Sequence, residues 1–203
     1  CSMPGVENAV SVARVVMEET PHVLVAGRHA VDLARDFDIE ADVDLSTPKT
    51  REKWGQYGDN PKGRGMKEHI EWLRDKFGGT DTVGGVAYDG DEFAAATSTG
   101  GRWFALRGRV GDVPQIGSGF YASSAGGAST TGAGEDIARV TLTRRAVQYL
   151  ENGMNAQEAA DAAIQEFDEL TGSRAGVIVL DGEGNAGKAF NTEEMQTGVA
   201  GNV

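Results

Sequence analysis

The sequence holds a single cysteine, Cys1, in 203 residues. A lone thiol excludes an intrachain disulfide and says nothing firm about redox compartment. Basic residues are also scarce: 19 lysines and arginines stand against 31 aspartates and glutamates, a formal charge of -12. That balance, with no basic stripe, argues against nucleic acid as a partner, and it suits a soluble, cytoplasmic protein. No apolar run approaches the roughly 18 residues of a membrane span and none reads as a signal peptide, so no membrane partner is expected. Histidines number three. Of these, His22 and His29 sit at element edges with no third ligand near them in sequence, so structural roles outweigh metal ligation. No shift in composition divides the chain, and its length suffices for one domain with a real core.

Apolar residues at Val10, Val12, Ala13, Val16 and Met17 recur at helical spacing, which predicts a helix from Val6 to Glu18 capped by Asn8 and stopped by Pro21. His22 to Ala26 reads as a short apolar strand, and Gly27 leads into a helix over about His29 to Asp36. Thr47 and Pro48 mark a helix start, running to about Tyr57. Turn chemistry fills 58–65, Lys67 to Phe77 reads as a charged helix, and Gly78-Gly79-Thr80 loosens the chain before Asp81. Strands then flank Tyr88-Asp89-Gly90-Asp91, whose Asp-Gly pair signals a hairpin. A long amphipathic helix is predicted between Gly134 and Gly153, with Ile137, Val140, Leu142, Ala146, Val147 and Leu150 on its apolar side. Asn155 caps a further helix over Ala156 to Leu170, and Val177 to Leu180 pairs with Gly187 to Phe190 in a closing hairpin. Two strand pairs with flanking helices indicate a layered α/β protein.

The chemistry concentrates in Asp81-Thr82-Val83-Gly84-Gly85-Val86-Ala87-Tyr88. A threonine hydroxyl is a weak nucleophile at neutral pH and needs a base within hydrogen-bond reach. A free α-amine on the same residue, with a reference pKa of about 7.7 to 8.0, supplies one. Thr82 is internal, so it becomes a competent nucleophile only if the chain is cut between Asp81 and Thr82. The alternative is a β-branched residue opening a strand. Cys1 offers a different N-terminal nucleophile, but Ser2-Met3-Pro4-Gly5 and a helical pattern follow it instead of a supporting strand.

Three small-residue turns with polar side chains come next: Thr97-Ser98-Thr99-Gly100-Gly101, Gly108-Arg109-Val110-Gly111-Asp112 and Thr130-Thr131-Gly132-Ala133-Gly134-Glu135. Arg109 suits a substrate carboxylate, because guanidinium grips it in a two-point fork, and Asp112 suits an ammonium. A surface ion pair is the alternative for these two. Thr131 beside the N–H of Gly132 suits a developing oxyanion, whereas Thr130 and Thr131 also fit a helix N-cap pair before Glu135.

In order and wording these four motifs resemble the plant-type asparaginase and isoaspartyl peptidase family of N-terminal nucleophile (Ntn) hydrolases, and the resemblance runs over nearly all of the chain, Asn8 to Gly27 included. It implies a single Ntn-hydrolase domain over 1–203 with a four-layer αββα sandwich, cut into an α-subunit remainder, 1–81, and a β-subunit, 82–203. It also implies that Thr82 is the nucleophile, that Thr99 hydrogen-bonds around it and supports activation, and that Thr131 and Gly132 form the oxyanion hole. The Gly134 backbone then helps hold the substrate amine beside Arg109 and Asp112. No catalytic metal or organic cofactor is implied. A small-molecule substrate and a homodimer of cleaved αβ units are.

Asp81 departs from the family's commoner glycine before the nucleophile. Aspartate stands there in the related glycosylasparaginases, while the second glycine of Ser98-Thr99-Gly100-Gly101 is typical of the asparaginase branch. The hairpin turn is one residue shorter than usual in the family, a change expected to be absorbed at its tip. Counterparts of the family's opening strand and nucleophile-positioning loop are not found before Cys1, so an N-terminally truncated fragment is expected. The leading expectation is hydrolysis of L-asparagine or β-aspartyl peptides through an acyl-enzyme on Thr82. Glycosylasparagine hydrolysis, and an inert fragment or pseudoenzyme, are the alternatives.

Overall fold

A computed structural model describes residues 1–56, 68–70, 81–106 and 108–201. The chain divides into two units, one of Cys1–Thr80 with Gly101–Val110 and one of Asp81–Gly100 with Gly111–Val203.

In the first unit, helix α1 (Ala9–Glu19) buries Val12 and Val16 of the apolar positions read for it and leaves Val10, Ala13 and Met17 exposed, while helix α2 (Arg28–Asp36) buries Ala30, Val31 and Ala34. Val6, Val12, Val31 and Ala34 form that small core, with Met3, Leu33, Ile39 and Ala41 packed around it. Asn8 holds the N-cap position of α1 without a side-chain bond; its carbonyl accepts the N–H groups of Ser11 and Val12 instead. Helix α3 (Pro48–Gln56) opens as its cap predicts. The Thr50 N–H donates to Thr47 Oγ1 at 3.1 Å and the Thr47 N–H to Thr50 Oγ1 at 2.8 Å.

The strand expected over His22 to Ala26 does not form. Val23 and Leu24 are exposed, and no strand among the described residues pairs with this stretch. An apolar run without a neighbouring ladder has no means of satisfying strand geometry; here the Cys1 nitrogen donates to the Val25 carbonyl at 2.8 Å and the Gly27 N–H to the Cys1 carbonyl at 2.8 Å. The turn of 58–65 and the helix of 67–77 lie outside the described residues, apart from 68–70, which are helical.

The second unit is built on two antiparallel sheets. Strands β1 (Thr82–Tyr88) and β2 (Phe93–Thr99) make the expected hairpin, with Thr82 directly opposite Thr99. Strands β3 (Phe120–Ser123), β4 (Gly126–Gly132), β5 (Ala175–Asp181) and β6 (Ala186–Phe190) form a four-stranded sheet in that order. Helices α4 (Gly134–Val140), α5 (Leu142–Glu151) and α6 (Ala156–Thr171) cover one face of it. Ala128, Ala175, Val177, Val179 and Ala189 from the strands meet Ile137, Leu142, Val147, Ala163 and Phe167 from the helices in one core. Full burial of each larger side chain there stabilises the fold by about 1.5–3 kcal/mol.

The opposite face of β4 packs on the β1–β2 hairpin, and glycines make that approach possible. A Cβ at Gly84 would lie 2.0 Å from Ser129 Oγ, and one at Gly127 would lie 2.6 Å from Val86 Cγ1. The result is a mixed α/β arrangement in which helices, a four-stranded sheet and a two-stranded sheet are layered.

Strands β3 and β4 were not expected from the sequence, because Gly126-Gly127-Ala128-Ser129-Thr130-Thr131-Gly132 lacks the apolar alternation of a half-buried strand. The long helix expected between Gly134 and Gly153 is in fact two. Thr141 separates α4 from α5 in the left-handed region, φ 54° and ψ 55°, a conformation that costs a β-branched residue energy and is held by its surroundings. The N–H of Arg144 donates to the Gly117 carbonyl at 2.9 Å, and Arg145 Nε takes the carbonyl of Val140 at 2.7 Å. By contrast, α6 begins where its sequence says. Asn155 Oδ1 accepts from the Glu158 N–H at 3.0 Å while Glu158 Oε2 accepts from the Asn155 N–H at 3.1 Å, a capping box.

Candidate active site

Because Thr82 opens β1 and Thr99 closes β2 as its register partner, the two side chains share one face of the hairpin. Thr82 Oγ1 donates to Thr99 Oγ1 at 3.3 Å, and Thr99 Oγ1 donates to the carbonyl oxygen of Asp81 at 3.1 Å. A hydroxyl has one proton to give and two lone pairs with which to receive. Thr99 therefore receives from the hydroxyl of Thr82 and gives to the peptide bond that precedes it. Asp81, Thr82, Val83, Ser98, Thr99 and Gly100 line a shallow, open concavity at this end of the hairpin.

The facing strand brings the second set of residues. Along the sheet-to-sheet contact Val86 meets Gly127 and Gly84 meets Ser129. Strand side chains alternate with a period of two, so Thr131 lies on the same face of β4 as Gly127 and Ser129, and Thr82 on the same face of β1 as Gly84 and Val86. Gly132 follows at φ 137°, and a Cβ there would sit 2.4 Å from the Arg174 carbonyl oxygen, so only glycine fits. Gly134 is the buried first residue of α4.

The N-cap alternative for Thr130 and Thr131 is corrected by these contacts. Both threonines belong to β4, the N-cap residue of α4 is Ala133 without a side-chain bond, and Thr130 Oγ1 donates to the Ser118 carbonyl at 2.8 Å. The cap is displaced because the strand runs on to Gly132, leaving Ala133 to supply the carbonyl that receives the Asp136 and Ile137 N–H groups.

Asp112 is buried in the second unit, where its backbone carbonyl accepts the N–H groups of Gln115 and Gly119. Arg109 is half-buried in the first unit, in a turn closed by its own N–H on the Leu106 carbonyl at 2.9 Å. Two further hydroxyls, to which the motifs give no role, meet on the same strand faces: Thr97 Oγ1 and Ser129 Oγ are 2.6 Å apart. The signal for them was period-two spacing, since Thr97 shares a strand face with Thr99 and Ser129 with Thr131.

The chain matches a family model described as "Asparaginase" over residues 1–202. It is 41% identical over 202 residues to a plant-type L-asparaginase of Pyrococcus abyssi, covering 94% of this chain and 64% of that protein. It is 36% identical over 195 residues to an isoaspartyl peptidase/L-asparaginase of Xenopus laevis, covering 94% of this chain and 60% of the relative. A third relative, the isoaspartyl peptidase/L-asparaginase of Mus musculus, is 37% identical over 192 residues, covering 89% of this chain and 54% of its own length. The chain thus spans less than two thirds of the length of these relatives. With a family model matching residues 1–202, the chain belongs to the plant-type L-asparaginase and isoaspartyl peptidase family.

Proposed function

We propose that this protein is an autoprocessing threonine amidohydrolase that hydrolyses L-asparagine to L-aspartate and ammonia, or cleaves β-aspartyl peptides. The observation that carries the reading is the Thr99 hydroxyl bonded to both the Thr82 hydroxyl and the Asp81 carbonyl oxygen. In self-cleavage, Thr82 Oγ attacks the Asp81 carbonyl carbon, its proton passes to the Thr82 nitrogen as the bond from that carbon to the nitrogen breaks, and an ester to Oγ forms. Donation from Thr99 polarises the same carbonyl as charge develops on its oxygen. Water then hydrolyses the ester, which leaves residues 1–81 and 82–203 as separate chains and gives Thr82 a free α-amine.

In hydrolysis, that amine takes the proton of Thr82 Oγ as the oxygen attacks the substrate's side-chain carbonyl. The Thr131 hydroxyl and Gly132 N–H receive the oxyanion, ammonia or the peptide amine leaves, and water releases aspartate from the acyl-enzyme. On chemical grounds Arg109 takes the substrate α-carboxylate and Asp112 its α-ammonium, with the Gly134 backbone assisting. The reading extends to a four-layer αββα sandwich and a cytoplasmic homodimer of cleaved αβ units.

Asp81 favours a second reading, hydrolysis of glycosylated asparagine, because aspartate precedes the nucleophile in enzymes of that kind. Purified protein assayed on asparagine, β-aspartyl-leucine and a glycosylated asparagine decides between them. Turnover of the first two with none of the third supports the proposal. Turnover of the third alone moves the assignment, and an intact chain without activity contradicts both.

A further inference from the structure

We infer that Thr97 and Ser129 are positioning residues: their paired hydroxyls fix the nucleophile's hairpin against the strand of the oxyanion donor. The inference rests on the proposed hydrolase activity and concerns what sets its rate. Ser129 is almost fully buried, at 3% exposure, in the contact between the two sheets. Thr97 Oγ1 donates to the Gly119 carbonyl at 2.9 Å, which uses its single proton. Ser129 must therefore supply the proton in the 2.6 Å contact with Thr97, and the direction of the relay is set: Ser129 to Thr97 to Gly119.

The far end of that relay joins three segments. The Gly119 carbonyl also accepts the Thr130 N–H at 2.9 Å, and the Gly119 N–H donates to the Asp112 carbonyl at 3.1 Å. Thr130 directly precedes Thr131, and Thr97 lies one strand-face step from Thr99. Gly84, one such step from Thr82, leaves the space that Ser129 Oγ occupies. The hydroxyl pair and the Gly119 peptide groups thus tie the hairpin of Thr82 and Thr99, the strand of Thr131 and the loop of Asp112 together at one residue, Gly119. A buried hydroxyl pair of this kind is retained only when both members are satisfied, since either one alone costs the desolvation of the other. Its removal frees the two sheets to shift by fractions of an ångström, and displacement on that scale is felt in the chemical step before it is felt in binding.

The test uses the full chain with Thr97→Val, Thr97→Ser, Ser129→Ala and the double variant Thr97→Val/Ser129→Ala. Folding is checked by thermal unfolding, and both self-cleavage rate and steady-state hydrolysis are followed. Thr97→Val and Ser129→Ala should each slow self-cleavage and lower kcat by about 10- to 100-fold with KM changed less than about threefold. Thr97→Ser, which keeps the hydroxyl, should recover most of both. The double variant should be no slower than the worse single one, because the pair acts as a unit. Folded variants with wild-type rates overturn the positioning role while leaving the proposed activity intact. Losses confined to KM, or a valine variant no slower than the serine one, also overturn it. A wild-type chain that neither cleaves itself nor hydrolyses any of the three substrates overturns the activity and this inference together.

Discussion

The hydroxyl of Thr99 stands between the Thr82 hydroxyl, at 3.3 Å, and the Asp81 carbonyl oxygen, at 3.1 Å. It touches both the attacking oxygen and the acceptor oxygen of the proposed self-cleavage. Thr99→Val keeps the shape and removes both contacts, so self-cleavage should slow on the order of 100-fold, the usual cost of losing one oxyanion donor. Thr99→Ser should lie within about tenfold of wild type. Gel or mass analysis over time reads both rates, and a valine variant that cleaves as fast as wild type removes Thr99 from the mechanism.

Packing at the sheet-to-sheet contact gives a prediction independent of activity. A methyl at Gly84 would lie 2.0 Å from Ser129 Oγ and 2.9 Å from its Cβ. Gly84→Ala should destabilise the second unit by about 1–3 kcal/mol, the range for overpacking a fitted interior. Adding Ser129→Gly should restore part of that loss. Denaturant unfolding measures both, and an unaffected Gly84→Ala variant contradicts the close approach of β1 to β4.

Asp89 organises the tip of the β1–β2 hairpin, at the end away from Thr82 and Thr99. Hydrogen bonds from the Glu92 N–H and then the Asp91 N–H hold its carboxyl below the usual aspartate range. A depressed folded pKa means that the stabilisation is present above the unfolded value, about 3.9, and is lost as pH falls through the folded one. Wild type should therefore be more stable than Asp89→Asn at pH 7, and the gap should close as the pH drops below about 4. A gap that stays constant down to pH 3 contradicts a charge-dependent role for Asp89.

Legibility in the sequence followed the range of the forces involved. The α6 cap at Asn155 and the Asp89-Gly90 hairpin depend on neighbours within a few residues, and both form where read; the return bond from Glu158 that completes the cap comes from the structure. Strand β4 depends on what lies across the sheets. Its glycines suit the approach of Val86 and Leu150, yet read alone they argue against a strand. The break at Thr141 was hidden because the apolar spacing from Ile137 to Leu150 runs on without interruption, while the turn is fixed by contacts to Gly117 and Arg145. At the candidate site, the motif residues Thr82 and Thr99 were legible and meet as register partners. Thr97 and Ser129 share strand faces with Thr99 and Thr131, which period-two spacing shows, but their pairing was not legible, since it joins residues 32 positions apart in the chain.

Arg109→Lys separates binding from self-processing. A point ammonium cannot reproduce the guanidinium fork on a carboxylate, and loss of such a charged contact costs roughly 2–5 kcal/mol. Catalytic efficiency on asparagine should fall by tens to thousands, while self-cleavage, which involves no free substrate carboxylate, should stay close to wild type. Equal loss of both rates assigns Arg109 to folding and not to substrate.

The nucleophile itself is tested most directly by the intact mass of the purified chain, followed during incubation beside Thr82→Ala and Thr82→Ser. Wild type should resolve into two pieces whose junction lies between Asp81 and Thr82, the serine variant should do so more slowly, and the alanine variant should stay whole. A Thr82→Ala chain that still separates at this bond, or a wild-type chain that remains a single mass and yet hydrolyses asparagine, would contradict Thr82 as the group that performs both reactions.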